Sequence, residues 1–124
     1  YISKYSGKII YLPHTNDAAD ILNIADILCL PSKREGFGNV LIESSACEVP
    51  IVGSNIFGLK SSLINNFNGL TFKVGNVDDL SAKLQKLINN QILCAKLGKN
   101  GRGYVKKKFK PEDIFNALNN LILE

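Results

Sequence analysis

Short apolar segments alternate with helical patterns along most of this chain, and this alternation restricts the fold more than any other feature. Apolar residues dominate "KIIYL" (8–12), "DILCL" (26–30), "PIVGS" (50–54) and "GLTFK" (69–73), which we predict to be strands. Strands that are almost entirely apolar, separated by helices, are typical of a parallel sheet covered on both faces. We therefore predict an α/β fold, with a Rossmann-like parallel sheet of about four strands and flanking helices.

Helical periodicity accounts for most of the remaining chain. Asn16 and Asn76 are predicted N-caps, because an asparagine side chain accepts a hydrogen bond from an unpaired backbone N–H group at a helix start. Gly98, Gly101 and Gly103 are expected to interrupt the fourth helix. The predicted helices cover residues 17–25, 38–48, 76–90, about 91–107 and a last segment that begins at Pro111.

The positive charge of the chain is concentrated near its C-terminal end. The 124 residues, enough for one domain, carry a net charge of +4, and "YVKKKFK" holds Lys106, Lys107, Lys108 and Lys110. The favoured interpretation is a solvated helix end, where the helix dipole attracts cations. The alternative is contact with the anionic inner face of a membrane. No RNA-binding signature accompanies these lysines, so we expect no nucleic acid partner and at most peripheral membrane contact. Neither a signal-peptide pattern nor an apolar run of about 20 residues is present, so we expect a cytoplasmic protein.

The cysteines indicate neither a disulfide framework nor a nucleophilic thiol. Cys29, Cys47 and Cys94 lie among apolar neighbours and form no closely spaced pair. We expect buried, reduced thiols, which fit a reducing compartment. None has the nearby histidine and cationic residues that activate a nucleophilic thiol.

The stretch "PSKREGFGNVLIE" follows the strand that ends near Leu30 and enters the next helix. Ligands of open parallel sheets bind beyond the carboxyl ends of the strands, which here means the loops after residues 12, 30 and 53. Backbone N–H groups at a helix start have no intrahelical partner and attract phosphate. Gly36 and Gly38 would allow a ligand to come close to the backbone.

Two carboxylates flank this bare backbone, since Glu35 and Glu43 have seven residues between them. A carboxylate repels phosphate but accepts hydrogen bonds from hydroxyl groups. The pattern predicts a ligand with phosphate near the helix start and sugar hydroxyls near each glutamate. Taken singly, Glu43 could be an ordinary exposed helix residue, Glu35 a loop carboxylate near Arg34, and the glycines turn residues. Joined at this spacing after an apolar strand, they favour the functional interpretation.

These residues resemble a known family. "EGFGNVLIE" looks like the two-glutamate signature of retaining glycosyltransferases with the GT-B fold, of the large family-four or group-1 type. The resemblance extends to "ADILCLPS" before this segment, to "ACEVPIVGSN" after it and to "NGLTFKVGNVDDLSAKLQKLI" further on. It covers nearly the whole chain from about residue 9, in the right order, and is strongest to enzymes of bacterial capsule, O-antigen and glycan assembly.

The resemblance implies a role for each candidate residue. Glu43 is implied to accept hydrogen bonds from the ribose of a nucleotide sugar. Glu35, the implied catalytic residue, would hold the transferred sugar and orient the developing cation. The backbone expected to meet the sugar and the diphosphate comprises Gly36, Phe37, Gly38, Asn39, Val40 and Leu41.

Further implied contacts lie on either side of this segment. Arg34 stands next to the diphosphate loop, and Leu12, Pro13 and His14 are implied to border the nucleobase. We expect no cofactor, with a UDP- or GDP-sugar as the substrate. We expect no metal either, because the sequence contains no Asp-x-Asp to supply ligands at the diphosphate. Stabilisation of the leaving group by the helix start is consistent with this expectation.

By the same resemblance, residues 1–124 are a partial nucleotide-sugar-binding domain. The family's C-terminal domain opens with two further strands, whose loops supply an arginine and a lysine to the diphosphate, and neither strand has a counterpart here. The N-terminal domain, which would bind a saccharide or lipid-linked acceptor, is also missing. We therefore expect the isolated chain to bind a donor weakly and to be inactive. We also expect residues 1–13 to be displaced, flexible or paired with another copy, rather than next to "DILCL" in one sheet.

Glycosyl transfer in bacterial polysaccharide or glycolipid synthesis is the favoured function. One alternative is a non-catalytic nucleotide-sugar-binding or scaffold domain of the same fold. Another is a different GT-B enzyme, such as an epimerase or a phosphorylase, although epimerases of this fold place other residues at the two-glutamate segment. The sugar, the base, the acceptor and the linkage stay open at this stage.

Overall fold

The computed structural model describes residues 8–14, 18–110 and 112. The predicted N-cap Asn16, and all but Glu112 of the helix predicted to begin at Pro111, fall outside these residues. The described elements are α1 (Ala18–Asn23), β1 (Leu28–Leu30), α2 (Asn39–Ala46), β2 (Ile51–Ser54), a 3₁₀ turn (Phe57–Leu59), β3 (Gly69–Phe72), α3 (Val77–Ile88) and α4 (Gln91–Lys108).

The strands form a parallel sheet in the order β1-β2-β3. Leu28 pairs with Ile51, and Ile51 pairs with Gly69. All four residues of β2 are buried, which explains why this central strand begins with the apolar pair Ile51 and Val52. The predicted α/β fold with a parallel sheet and flanking helices is confirmed, with three strands rather than about four in the described part of the chain.

Each face of the sheet has its own hydrophobic cluster. Successive side chains of a strand point to opposite faces, so Ile51 and Val52 belong to different clusters. Val52 packs with Leu87 of α3 and Leu97 of α4, together with the β3 residues Leu70 and Phe72. The cluster around Ile51 contains Leu41 of α2, Leu59 and Leu63. The sheet is therefore covered on both sides, and α2 is held against it by Leu41, which is fully buried.

The strand predicted over 8–12 is wrong. Only Ile9 forms an isolated bridge there, and Ile10 and Tyr11 are 81% and 76% exposed. An apolar segment becomes a strand only when a neighbouring strand pairs with its backbone and other elements cover its side chains. The sheet described here does neither for this segment. Residues 8–13 do not lie beside β1 in the described sheet, which agrees with the expectation that this segment is not next to "DILCL" in one sheet.

The expectation that glycines interrupt the fourth helix is also wrong, because α4 is continuous from Gln91 to Lys108. A Cβ atom at Gly98 would overlap the carbonyl oxygen of Glu48, and one at Gly101 would lie 3.1 Å from the Cβ of Ser45. These two glycines lie three residues apart, on the face that α4 turns toward α2. They allow the two helices to approach closely, which outweighs the low helix propensity of glycine.

Local signals at helix ends were more reliable. The Asn76 side chain accepts a hydrogen bond of 2.9 Å from the Asp79 N–H group, which confirms the predicted N-cap of α3. Lys106, Lys107 and Lys108 lie exposed in the last turn of α4, as the interpretation of a solvated helix end predicts.

None of the described helices is both long enough and apolar enough to cross a bilayer.

The thiols are free but less buried than expected. Cys29 is exposed, which corrects the prediction for this residue, and Cys47 and Cys94 are half-buried. Burial, and to a smaller extent the Asp26 carboxylate, raises the pKa of the Cys94 thiol. The Cys94 Sγ donates a hydrogen bond of 3.2 Å to the Leu87 carbonyl. A thiol with a raised pKa holds its proton at neutral pH, which leaves little nucleophilic thiolate at Cys94.

Two glycines of α4 give predictions of opposite sign. Gly98→Ala should lower the free energy of unfolding by about 2–3 kcal/mol, because the new methyl group forces α4 away from the Glu48 carbonyl. Gly103→Ala should raise it by about 0.5–1 kcal/mol, because no atom lies within 4 Å of the new methyl group and alanine favours the helix. Urea unfolding followed by circular dichroism measures both. A neutral Gly98→Ala variant would contradict the helix contact.

Candidate functional site

Two loops meet at the carboxyl edge of the sheet, one after β1 and one after β2. Together they line a cleft of about 400 Å³, formed by Lys33, Arg34, Glu35, Gly36, Ile56, Phe57 and Gly58. Two of the three loops selected by the rule for open parallel sheets therefore come together, namely those after residues 30 and 53. A cleft of this size lies within the range of ligand pockets.

Helix α2 begins beside this cleft with no side-chain cap. Its N-cap residue, Gly38, has a left-handed backbone with φ of 71° and makes no side-chain hydrogen bond. A Cβ atom at Gly38 would lie 2.7 Å from the Leu59 Cδ2, so packing as well as backbone conformation requires glycine there. The Leu41 N–H group donates to the Gly38 carbonyl at 2.8 Å. Among the described residues, no protein acceptor binds the N–H groups of Asn39 and Val40, which leaves them available to an anion.

Glu43 is exposed on the solvent side of α2. It lies four residues after Asn39, which is also exposed, so the two side chains share one helix face. The rise of an α-helix places Glu43 about 6 Å along the axis from the helix start. Leu41 is buried and Val40 is half-buried, since both pack into the cluster around Ile51. These two residues can therefore offer a ligand little more than their backbone, and the Leu41 N–H group is already used within the helix.

Glu35 is exposed in the cleft and accepts a hydrogen bond of 2.7 Å from the Ser32 hydroxyl. Its neighbour Arg34 is also exposed. The ion pairs of the described residues are Lys83–Asp79 and Arg102–Glu48, so neither Glu35 nor Arg34 is neutralised by a partner there. Both charges are available to a ligand. Ser32 was not identified from the sequence, although its position three residues before Glu35 is a common spacing for local side-chain contacts.

The loop of residues 33–38 is fixed by the loop after β2. A Cβ atom at Gly58 would overlap the Glu35 carbonyl oxygen, so the 3₁₀ turn lies directly against the backbone of Glu35. The fully buried Ser62 donates a hydrogen bond of 2.8 Å to the Phe37 carbonyl. Sequence reasoning missed both Gly58 and Ser62. A signal for both was present in the sequence. They follow the strand that ends at Ser54, and ligands of open parallel sheets bind beyond the carboxyl ends of the strands.

The Phe37 ring belongs to an aromatic cluster beside the site. Its centroid lies 5.7 Å from that of Phe109, which in turn lies 5.9 Å from that of Tyr104. The Tyr104 hydroxyl donates a hydrogen bond of 2.8 Å to the Ser61 carbonyl. The C-terminal end of α4 therefore contacts both loops. Phe109, one of the two aromatic residues of the basic segment, is half-buried against Phe37 and Tyr104.

His14 is not brought to this place by the structure. It is exposed, follows the segment 8–12 and does not line the cleft. The predicted residues that do come together are Arg34, Glu35 and Gly36 in the cleft and Gly38, Asn39 and Glu43 at the start and on the exposed face of α2. Among the described residues, no group of three or more histidine, cysteine, aspartate or glutamate side chains is arranged to hold a metal ion.

Known proteins resemble the chain over most of its length. It is 33% identical to the capsular polysaccharide biosynthesis glycosyltransferase CapM of Staphylococcus aureus over 92% of this chain and 30% of the relative. Among solved structures, sucrose-phosphate synthase from Thermosynechococcus elongatus matches with a TM-score of 0.91 at 26% identity, over 98% of this chain and 31% of that chain. A TarM mutant of S. aureus, solved in a complex that includes UDP, matches with a TM-score of 0.89 at 25% identity, over 97% of this chain and 24% of that chain.

The chain thus spans about a third or less of the length of these proteins. Its parallel sheet and flanking helices match glycosyltransferases of the GT-B fold. The model of the family "Glycosyl transferases group 1" matches residues 3–104, which include the whole of the candidate site. The chain belongs to the group 1 glycosyltransferases.

Proposed function

We propose that this chain binds the nucleotide-sugar donor, a UDP- or GDP-sugar, in a retaining, metal-independent glycosyltransferase of bacterial polysaccharide or glycolipid synthesis. One observation carries the proposal: the uncapped start of α2 lies at the carboxyl edge of the sheet with an exposed carboxylate on either side of it. A diphosphate flanked by two sugars has the matching chemistry, with an anionic centre and hydroxyl groups at both ends.

The diphosphate is assigned to the start of α2. The free N–H groups of Asn39 and Val40, together with the positive end of the helix dipole, favour an anion. Departure of a nucleoside diphosphate places negative charge at this position. Fixed dipoles aimed at charge that develops in a transition state lower the barrier without a metal ion. Arg34 and the adjacent Lys33, both exposed at the cleft, add positive charge nearby.

The two carboxylates are assigned to the two sugars. Glu43, one turn along α2, would accept hydrogen bonds from the ribose hydroxyls. Glu35, in the cleft, would accept hydrogen bonds from the transferred sugar and stabilise the oxocarbenium-like transition state. The Ser32 hydroxyl donates to Glu35 and favours one orientation of the carboxylate, which benefits a group that must act in a defined direction.

The relatives support the class of ligand. The TarM structure contains UDP, and CapM is named for capsular polysaccharide synthesis. The acceptor, a saccharide or a lipid-linked saccharide, is assigned to parts of the complete protein beyond this chain, which spans only 30% of CapM. The four lysines near the end of α4 could bring such a protein to an anionic membrane surface.

The ribose assignment is tested by Glu43→Ala in the complete gene product. Loss of a charged hydrogen-bond acceptor should weaken UDP or GDP binding by about 10- to 100-fold. Isothermal titration calorimetry with each nucleotide measures the effect. Asp78→Ala, which removes an exposed carboxylate from the first turn of α3, is the matched control and should bind as the wild type does. Equal affinity in the Glu43 variant would remove this residue from the site.

The catalytic assignment is tested by Glu35→Gln. Nucleotide binding should stay within about threefold of the wild type, while the transfer rate should fall by about 100-fold or more, because the carboxylate acts mainly in the transition state. Rates are measured by release of the nucleoside diphosphate, and the anomeric configuration of the product by NMR. A product of inverted configuration would refute retention. Tight nucleotide binding with no transfer to any acceptor would favour the scaffold alternative.

The close approach of the ligand to the backbone at Gly36 is tested by Gly36→Ala. No atom lies within 4 Å of the added methyl group, and Gly36 does not have a left-handed backbone. The melting temperature should therefore stay within about 2 °C of the wild-type value. Affinity for the nucleotide sugar should fall by about tenfold, because the methyl group occupies space assigned to the ligand. Unchanged affinity would place the ligand away from Gly36.

A further inference from the structure

Phe57 is the most exposed large hydrophobic residue in the described part of the chain, at 88%. It opens the 3₁₀ turn after β2, between the buried residues Ser54 and Leu59. Its ring contributes nothing to either hydrophobic cluster. An aromatic side chain left open beside a cleft is a frequent mark of a binding surface.

The backbone that carries this ring is held against the loop of Glu35. Gly58, the next residue, lies directly against the Glu35 carbonyl. Leu59 is buried beneath the turn, and the Lys60 N–H group closes the turn with a hydrogen bond of 3.2 Å to the Phe57 carbonyl. Phe57 and Glu35 therefore line the same cleft from opposite loops. The packed turn restrains the backbone of Phe57, which reduces the backbone entropy lost when a ligand binds.

The lining combines three kinds of chemistry. The Phe57 ring offers an apolar face, and Glu35 offers acceptors for hydroxyl groups. Lys33 and Arg34 supply positive charge, and the Lys60 ammonium lies 5.8 Å from the Phe57 ring centroid. A pyranose ring has the complementary surfaces, since one face carries C–H bonds and the edge carries hydroxyls. A phosphate attached to that sugar would be attracted by the cations.

We propose that Phe57 is the platform on which this cleft receives a sugar ring. The C–H face of the pyranose lies on the Phe57 ring, and its hydroxyls point to Glu35. This inference rests on the proposed function and adds to it a residue that contacts the sugar rather than the nucleotide. The sugar ring can come from the donor or from the acceptor saccharide, and the experiment separates the two sources.

The experiment compares Phe57→Ala, Phe57→Tyr and Ile92→Ala in the complete gene product. Ile92 is 85% exposed on α4 and does not line this cleft, so its variant controls for loss of an exposed apolar side chain. Affinities are measured by calorimetry for UDP, for UDP-glucose and UDP-N-acetylglucosamine, and for GDP and GDP-mannose. Binding of p-nitrophenyl hexosides in the presence of UDP or GDP is measured by saturation-transfer NMR. Thermal melting of each variant checks that it is folded.

If the sugar on Phe57 belongs to the donor, Phe57→Ala should keep wild-type affinity for the free nucleotide and bind the nucleotide sugar about tenfold more weakly. If the sugar belongs to the acceptor, Phe57→Ala should keep wild-type affinity for the free nucleotide and for the nucleotide sugar, and should bind the hexoside about tenfold more weakly. Phe57→Tyr should retain sugar binding in either case, because the aromatic face is kept, and Ile92→Ala should match the wild type.

Two results would overturn the platform. One is that Phe57→Ala binds both nucleotide sugars and hexosides as the wild type does. The other is that the wild-type protein gains no affinity from any sugar in the panel. Either can occur while free UDP or GDP still binds in a Glu43-dependent way, so failure of the platform is distinguishable from failure of the proposed function. Absence of nucleotide binding would instead refute the proposed function.

Discussion

The contact between the backbone at Gly58 and the carbonyl of Glu35 is the constraint on which the site depends. It sets the distance between the loops after β1 and β2, and no residue with a side chain fits at position 58. The neighbouring Ser62 hydroxyl reinforces this contact, since its oxygen lies 2.8 Å from the Phe37 carbonyl and 3.2 Å from the Leu59 carbonyl. The loop that carries Glu35 is thereby held by the protein itself, which favours a preorganised site.

A buried polar network extends this constraint into the helices. Asn68 is 1% exposed. Its amide donates to the Ser62 carbonyl at 2.8 Å, and its side-chain oxygen accepts a bond of 2.7 Å from the Ile64 N–H group. A longer contact of 3.4 Å reaches the Ser45 hydroxyl in α2. Buried polar groups are costly unless they are paired, so this network favours one arrangement of the loop 55–68 against α2. The position of Phe57 and the position of the α2 start are consequences of the same packing.

Sequence reasoning succeeded where the physical cause is local. Asn76 caps α3 because the acceptor and the N–H group it binds are three residues apart. The strand segments at 26–30, 50–54 and 69–73 each contain a strand, since a buried central sheet requires continuous apolar residues. It failed where the cause is distant. The apolar segment 8–12 was predicted to be a strand, yet Ile10 and Tyr11 are 81% and 76% exposed, because no strand of the described sheet pairs with it.

The sequence by itself determined the parallel α/β class, the glycines near the start of α2 and the two carboxylates that flank them. Apolar periodicity, helix-end chemistry and residue spacing are properties of short segments, so they can be read before the chain is folded. Only the tertiary structure decided that the segment 8–12 stays outside the sheet, that Gly98 and Gly58 are required for close contacts and that Phe57 faces the cleft of Glu35. Those outcomes depend on partners up to 50 residues away in the chain, as between Gly98 and Glu48, and close packing rather than local propensity selects among them.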